Sequence, residues 1–102
     1  MPGVVRIGDE LSTGHGCMAN TTLANSNQGV DNVYANNILI SVKGADTVAH
    51  PFPPDPPCNP HTAKLNIGSS TVKINNIEVG RIGDNADAGA MSSGSTTVFA
   101  GP

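Results

Sequence analysis

Apolar and polar residues alternate over short runs of this chain, and the runs come in pairs. In Val72-Lys73-Ile74 and Ile77-Glu78-Val79 the aliphatic side chains fall on one side of an extended strand and the charged ones on the other. Asn75-Asn76 separates the two runs. Asn tolerates positive φ, so the pair predicts a two-residue hairpin turn of the primed type. That register sets Ile74 opposite Ile77, Lys73 opposite Glu78 and Val72 opposite Val79, with the opposite charges as cross-strand partners. The same spelling surrounds Asn36-Asn37, with Ala35 opposite Ile38 and Val33 opposite Ile40. No segment carries a convincing helical period, although 46–49 and 85–91 leave room for a short helix or turn.

The pairs belong to a longer repeat. Residues 71–84 align without a gap to residues 32–45, and a third copy begins at Thr97-Val98-Phe99-Ala100. Its other half stands at the opposite end of the chain, as Val4-Val5-Arg6-Ile7-Gly8-Asp9. A repeat that starts near one terminus and finishes near the other predicts a closed ring with adjacent termini. Three hairpin-like units around an axis give an all-β, pseudo-threefold body in which the hairpins share one narrow core. Each unit ends in a Gly-containing turn, at Gly8, Gly44 and Gly83. Asp9 and Asp84 follow two of these turns and read as local backbone acceptors rather than paired catalytic acids. Arg6 and Arg81 recur at one position and read as structural partners.

Composition narrows the picture. The chain has 102 residues, fitting one domain over 1–102, with a formal net charge of −3, no Trp, one Tyr and two Phe. Val and Ile dominate the aliphatic residues and favour strands. No Lys/Arg cluster is present, which argues against nucleic acid or anionic lipid as a partner. The first residues lack the long apolar stretch of a signal peptide, so synthesis and folding in a cytoplasm are expected. Two cysteines in that compartment read as thiols or metal ligands ahead of a disulfide.

One interval between copies is longer. Asn32 and Thr71 are 39 positions apart, whereas Thr71 and Thr97 are 26 apart. The extra residues fall around 50–61, where six of the eight prolines lie, predicting a stiff, extended loop. It carries His50, Cys58 and His61; His15 stands in Thr13-Gly14-His15-Gly16-Cys17. His15 follows the Gly8 turn as His50 follows the Gly44 turn, so a threefold ring brings both loops to one end. Three imidazoles and a thiolate (His15, His50, Cys58 and His61) form a closed tetrahedral set suited to Zn²⁺, with Fe as the alternative ion. Four protein ligands leave no open position, which marks a structural metal rather than a catalytic one. Two other readings stay open at this point: a Cys17–Cys58 disulfide, or Cys17 in place of Cys58 as the sulfur ligand.

Residues 74–84 resemble the "I-N-G-x-P-A-A-R-x-G-D" signature of PAAR-repeat proteins, and Val4-Val5-Arg6-Ile7-Gly8-Asp9 resembles the end of a second copy. Gly68-Ser69-Ser70-Thr71-Val72 and Gly94-Ser95-Thr96-Thr97-Val98 are similar to the family's "G-S-P-T-V" lead-in. The resemblance covers essentially the whole chain. It departs at Glu78-Val79-Gly80-Arg81, where only the Arg is kept, and in the middle copy, which has Val42 and Ala45 in place of Arg and Asp. The resemblance implies a small β-rich cone with a metal near its vertex, and it matches His15, His50, Cys58 and His61 to the metal-binding pattern. It implies a non-enzymatic spike tip of a contractile phage tail or type VI secretion system. The base would dock on a trimeric β-helical spike protein of the baseplate, and the vertex would meet a target envelope transiently. Many relatives carry an attached toxin or transport domain, and a chain of this length resembles a stand-alone tip. It would be made in the host cytoplasm and end at the virion tail tip or in the assembled machine. The competing expectations are a small metal-dependent hydrolase, which needs an open coordination site and a pocket, and a generic β-rich binding module, which usually presents more aromatics.

Overall fold

The Asn pairs build the turns expected of them. In the computed structural model, which describes residues 2–27, 32–52 and 58–101, Asn36 and Asn37 have φ of 56° and 65°, and Asn75 and Asn76 have 52° and 65°. Positive φ at both central residues matches the right-handed twist of the strands they join. Around them lie β3 (Tyr34–Ala35) with β4 (Ile38–Leu39), and β7 (Lys73–Ile74) with β8 (Ile77–Glu78). Ala35 pairs with Ile38, Ile74 with Ile77 and Lys73 with Glu78. The charges depart from expectation in one respect: the Glu78 carboxylate makes its ion pair with Lys43 Nζ, 3.9 Å away.

The other elements are β1 (Glu10–Ser12), β2 (Asn20–Thr22), β5 (His50–Phe52), β6 (Asn59–His61), β9 (Asn85–Ala86) and β10 (Gly89–Met91). All pairings are antiparallel, with one four-stranded sheet in the order β2-β1-β10-β9 and three two-stranded hairpins. The described residues contain no helix. Of the two segments with room for a short helix or turn, 46–49 bridges through Asp46 and Thr47 to Lys64 and Leu23, and 85–91 holds a turn at Asp87-Ala88 within the β9–β10 hairpin. Its Ala content favours helix only weakly. Burial of Ala86 and Met91 in the core and pairing of β10 with β1 decide otherwise.

Backbone hydrogen bonds link the three copies in cyclic order. Val5, Ser41 and Gly80 occupy one position of the repeat. The Val5 N–H donates to Gly80 O (2.9 Å), the Gly80 N–H to Ser41 O (3.0 Å), and the Ser41 N–H to Val5 O (3.0 Å). Two residues further on a second cycle runs in the opposite sense: Ile7 donates to Leu39, Lys43 to Glu78, and Ile82 to Gly3. The third unit is assembled from both chain ends, since Gly3 bridges Phe99, Val4 N–H donates to Val98 O and Ala100 N–H donates to Pro2 O. Met1 and Pro102 themselves, and prolines 53, 54, 56 and 57 of the expected stiff loop, lie outside the described residues.

Equivalent residues also meet in the interior. Val4, Ile40 and Val79 form one buried cluster with Ala35, Val42 and Ala100, and Ile74 and Ile77 pack against it. Leu23, Leu65 and Met91 anchor a second, with Val5, Leu11, Ala45 and Ala86. Gly8, Gly44 and Gly83, at φ of 86°, 93° and 92°, turn each copy from the first cluster towards the second. Two of these turns are clamped. Asp9 Oδ2 accepts from Arg6 N and Nε at 2.7 and 2.9 Å, and Arg6 Nη2 donates to Oδ1; Arg81 and Asp84 repeat this arrangement. In the middle copy Val42 and Ala45 replace the pair and are wholly buried. The body is 41 Å long and 25 by 22 Å across.

Candidate metal centre

Each copy continues from its Gly turn into a hairpin, and these hairpins carry the polar cluster. β1 and β2 present the 13–19 loop, which holds His15. Thr13, fully buried, organises the loop: its hydroxyl donates to the Met18 carbonyl and accepts from the His15 N–H at 3.4 Å. β5 and β6 place His50 directly opposite His61. The turn between β9 and β10 carries Asp87, at φ 55°. Its N–H donates to Lys64 O at 3.0 Å, and its carbonyl accepts from Asn66 Nδ2 at 3.2 Å. The first loop rests on this turn, with the Ala88 N–H donating to Thr13 O at 2.9 Å.

The side chains converge. His15 Nε2 and His50 Nε2 are 3.2 Å apart, and each is 2.8 Å from Asp87 Oδ2. His61 Nε2 lies 3.4 Å from both carboxylate oxygens. His15 and His50 stack with centroids 5.2 Å apart, and His61 stands edge-on to both. The side chains of His50, Asp87 and His15 are 1%, 5% and 8% exposed and that of His61 25%, so the cluster meets solvent on the His61 side.

His15 Nδ1 is 2.8 Å from Gly16 O, and His50 Nδ1 is 2.8 Å from Val48 O. A carbonyl only accepts, so each Nδ1 carries the hydrogen and each Nε2 of a neutral ring is a bare lone pair. Two lone pairs and a carboxylate oxygen then face one another. Either the rings take up protons and crowd positive charge into a buried space, or a cation sits among the acceptors. With protons alone, burial works against a charged His15, but the Gly16 carbonyl and Asp87 outweigh it and hold its pKa above the ordinary 6.5. Burial likewise opposes the Asp87 carboxylate, and the three imidazoles outweigh it, holding its pKa below 3.8.

His15, His50, His61 and Asp87 therefore form a group that could hold a metal ion, with all four donor atoms within 4.8 Å of one another. Ligands about 2.0–2.1 Å from a tetrahedral ion stand about 3.3 Å apart. The His15–His50 and His61–Asp87 separations of 3.2 and 3.4 Å match this spacing, and the two 2.8 Å contacts are the lengths of hydrogen bonds. The backbone carbonyls that fix the Nδ1 hydrogens are the outer partners that metal-binding imidazoles usually have.

Three of the four residues expected at the site are here. The fourth, Cys58, is not in the group: its sulfur is bonded to that of Cys17, with the two Cα atoms 6.1 Å apart, and a disulfide sulfur carries no thiolate charge. Asp87 was missed. The signal for it was the repeat itself, because the segment after Gly83-Asp84 is the counterpart of those carrying His15 and His50. Asp9 and Asp84 are occupied by Arg6 and Arg81, as local structural acceptors. No family model and no curated protein matches the chain.

Proposed function

We propose that this protein is a PAAR-like spike tip: a pseudo-threefold cone that caps a trimeric β-helical spike in a contractile phage tail or type VI secretion machine. The observation that carries the reading is the cycle of backbone hydrogen bonds through Val5, Ser41 and Gly80. A single chain with three near-equivalent sides can seat on a true threefold trimer, because each side offers a similar surface to one subunit. The copies differ at Arg6, Val42 and Arg81, so the symmetry is one of backbone rather than side chains.

The base of the cone is the end formed by the β3–β4 and β7–β8 hairpins and the paired chain ends. Tyr34, Ile38, Val72, Val98 and Phe99 are exposed there, Tyr34 at 57% and Phe99 at 48%. Apolar side chains and short strand edges of this kind are suited to burial against the end of a β-helix. The vertex is the end with the imidazoles, where an ion of the Zn²⁺ or Fe²⁺ class cross-links the loops. The role is mechanical, concentrating axial force on a small area of envelope, and the protein is not a catalyst.

Co-expression with the trimeric β-helical spike of the same machine tests the reading. Light scattering on the purified complex is expected to give one copy of this chain per trimer, and Tyr34→Asp with Phe99→Asp to abolish it. A monomer that never joins the trimer, or a complex indifferent to both substitutions, refutes the role.

A further inference from the structure

We infer that Asp87, rather than a cysteine, is the anionic ligand of the metal centre, so that the ion ties together all three copies of the repeat. The inference rests on the metal-binding reading of the cluster and not on the spike-tip role. His15 comes from the first copy, His50 and His61 from the second, and Asp87 from the third. A set made only of His15, His50, Cys58 and His61 would join two copies and leave the β9–β10 hairpin untied.

Three observations carry this. The sulfurs are engaged with each other in the Cys17–Cys58 disulfide, and the set within 4.8 Å is completed by the carboxylate. Asp87 is already aimed at the imidazoles, with Oδ2 2.8 Å from two Nε2 atoms and the side chain 5% exposed. Its backbone holds φ at 55°, a conformation that Asp and Asn tolerate better than other L residues. The turn therefore favours a short polar side chain, and of those Asp alone brings a negative charge. Three nitrogens and one carboxylate oxygen make a harder donor set than one containing thiolate, and they suit Zn²⁺ or Fe²⁺ without sulfur. The disulfide is then a separate strap, joining the first two loops whether or not metal is bound.

Metal content and the spectrum of the cobalt-substituted protein decide the matter, using wild type, Asp87→Asn and the Cys17→Ser/Cys58→Ser double variant. Wild type is expected to hold about one divalent ion per chain, and the double-serine variant to keep it. Asp87→Asn preserves size and tolerance of positive φ and is expected to weaken binding by at least about tenfold. Cobalt in wild type should show d–d bands without a thiolate charge-transfer band. A thiolate band overturns the inference, as does an Asp87→Asn protein that binds like wild type, or a wild type that takes up no ion. If Asp87→Asn fails to fold, the wild-type cobalt spectrum still decides. No readout involves a spike, so its failure and that of the spike-tip role are distinguishable.

Discussion

Gly80 is where the cyclic arrangement can be challenged most directly. Val5, Ser41 and Gly80 are equivalent in the repeat, all three are buried, and their backbones bond to one another. One position carries a branched side chain, one a hydroxymethyl and one nothing. A Cβ at Gly80 would sit 2.5 Å from Val5 Cγ2 and 3.3 Å from Ser41 O, and against Leu65 Cδ2. Ordinary contact needs about an ångström more than the first of these. Overpacking on this scale costs about 1–3 kcal/mol. The stiffer unfolded chain returns about 0.4–1 kcal/mol. Gly80→Ala should thus destabilise by about 1–2 kcal/mol. At about 4–8 °C per kcal/mol for a domain of this size, thermal melting followed by circular dichroism should move down by about 5–15 °C. Val5→Ala alone removes two methyl groups, about 1.6 kcal/mol before any cavity cost. Both substitutions act on one space, so the double variant should cost at least about 1 kcal/mol less than the sum. A Gly80→Ala protein that melts with wild type, or a double variant additive to within about 0.5 kcal/mol, would refute the packing reasoning.

The Arg81–Asp84 clamp should be replaceable only as a unit. Arg81→Val alone leaves a buried carboxylate without its guanidinium and should cost about 2–3 kcal/mol in urea unfolding, whereas Arg81→Val/Asp84→Ala, copying Val42 and Ala45, should cost less than the single change. A double variant less stable than the single would contradict this. Stability should also respond to pH in opposite ways with and without metal. In stripped protein the raised His15 pKa contributes stability that is present below 6.5 and lost as pH rises through the folded value. The lowered Asp87 pKa contributes stability that is present above 3.8 and lost as pH falls through its folded value, so these groups favour the window between. In loaded protein, protons compete with metal at the imidazoles, and the melting temperature should instead rise as pH climbs through about 6.5. Parallel melting profiles for the two forms would count against a metal at these residues.

The lower hairpins were legible because their signals are local. Two Asn at positive φ and alternating Val and Ile fix a turn and a register within eight residues, and Lys73 faces Glu78 as the pattern requires. The convergence of His15, His50 and His61 was legible through the repeat, which turns sequence position into place on a ring. Residues 85–91 were not. Alanines permit helix, and only contacts with Leu11 and Ser12 on β1 make the segment a hairpin. Asp87 was hidden with it: its place after the third Gly turn sets it at the same end as His15 and His50, but a single Asp in an Ala-rich turn shows no ligand role until its neighbours are known. The sulfurs were ambiguous for a different reason: Cys17 and Cys58 stand close to His15 and His61 in the chain, and spacing alone serves ligation and disulfide pairing equally.

A circle closed by its own two ends has a consequence for how the chain acquires its shape. Val4 takes its partner from Val98, Glu10 accepts from Ser92 and Ser93, and Ala100 completes the first interior cluster. During synthesis, Val4 and Glu10 emerge well before the partners that pair with them, Val98 and Ser92-Ser93. Such distant pairings make assembly slow, and a nascent chain held at Ser92 would contain His15, His50, His61 and Asp87 but lack the Val98 and Ala100 contacts that close the ring.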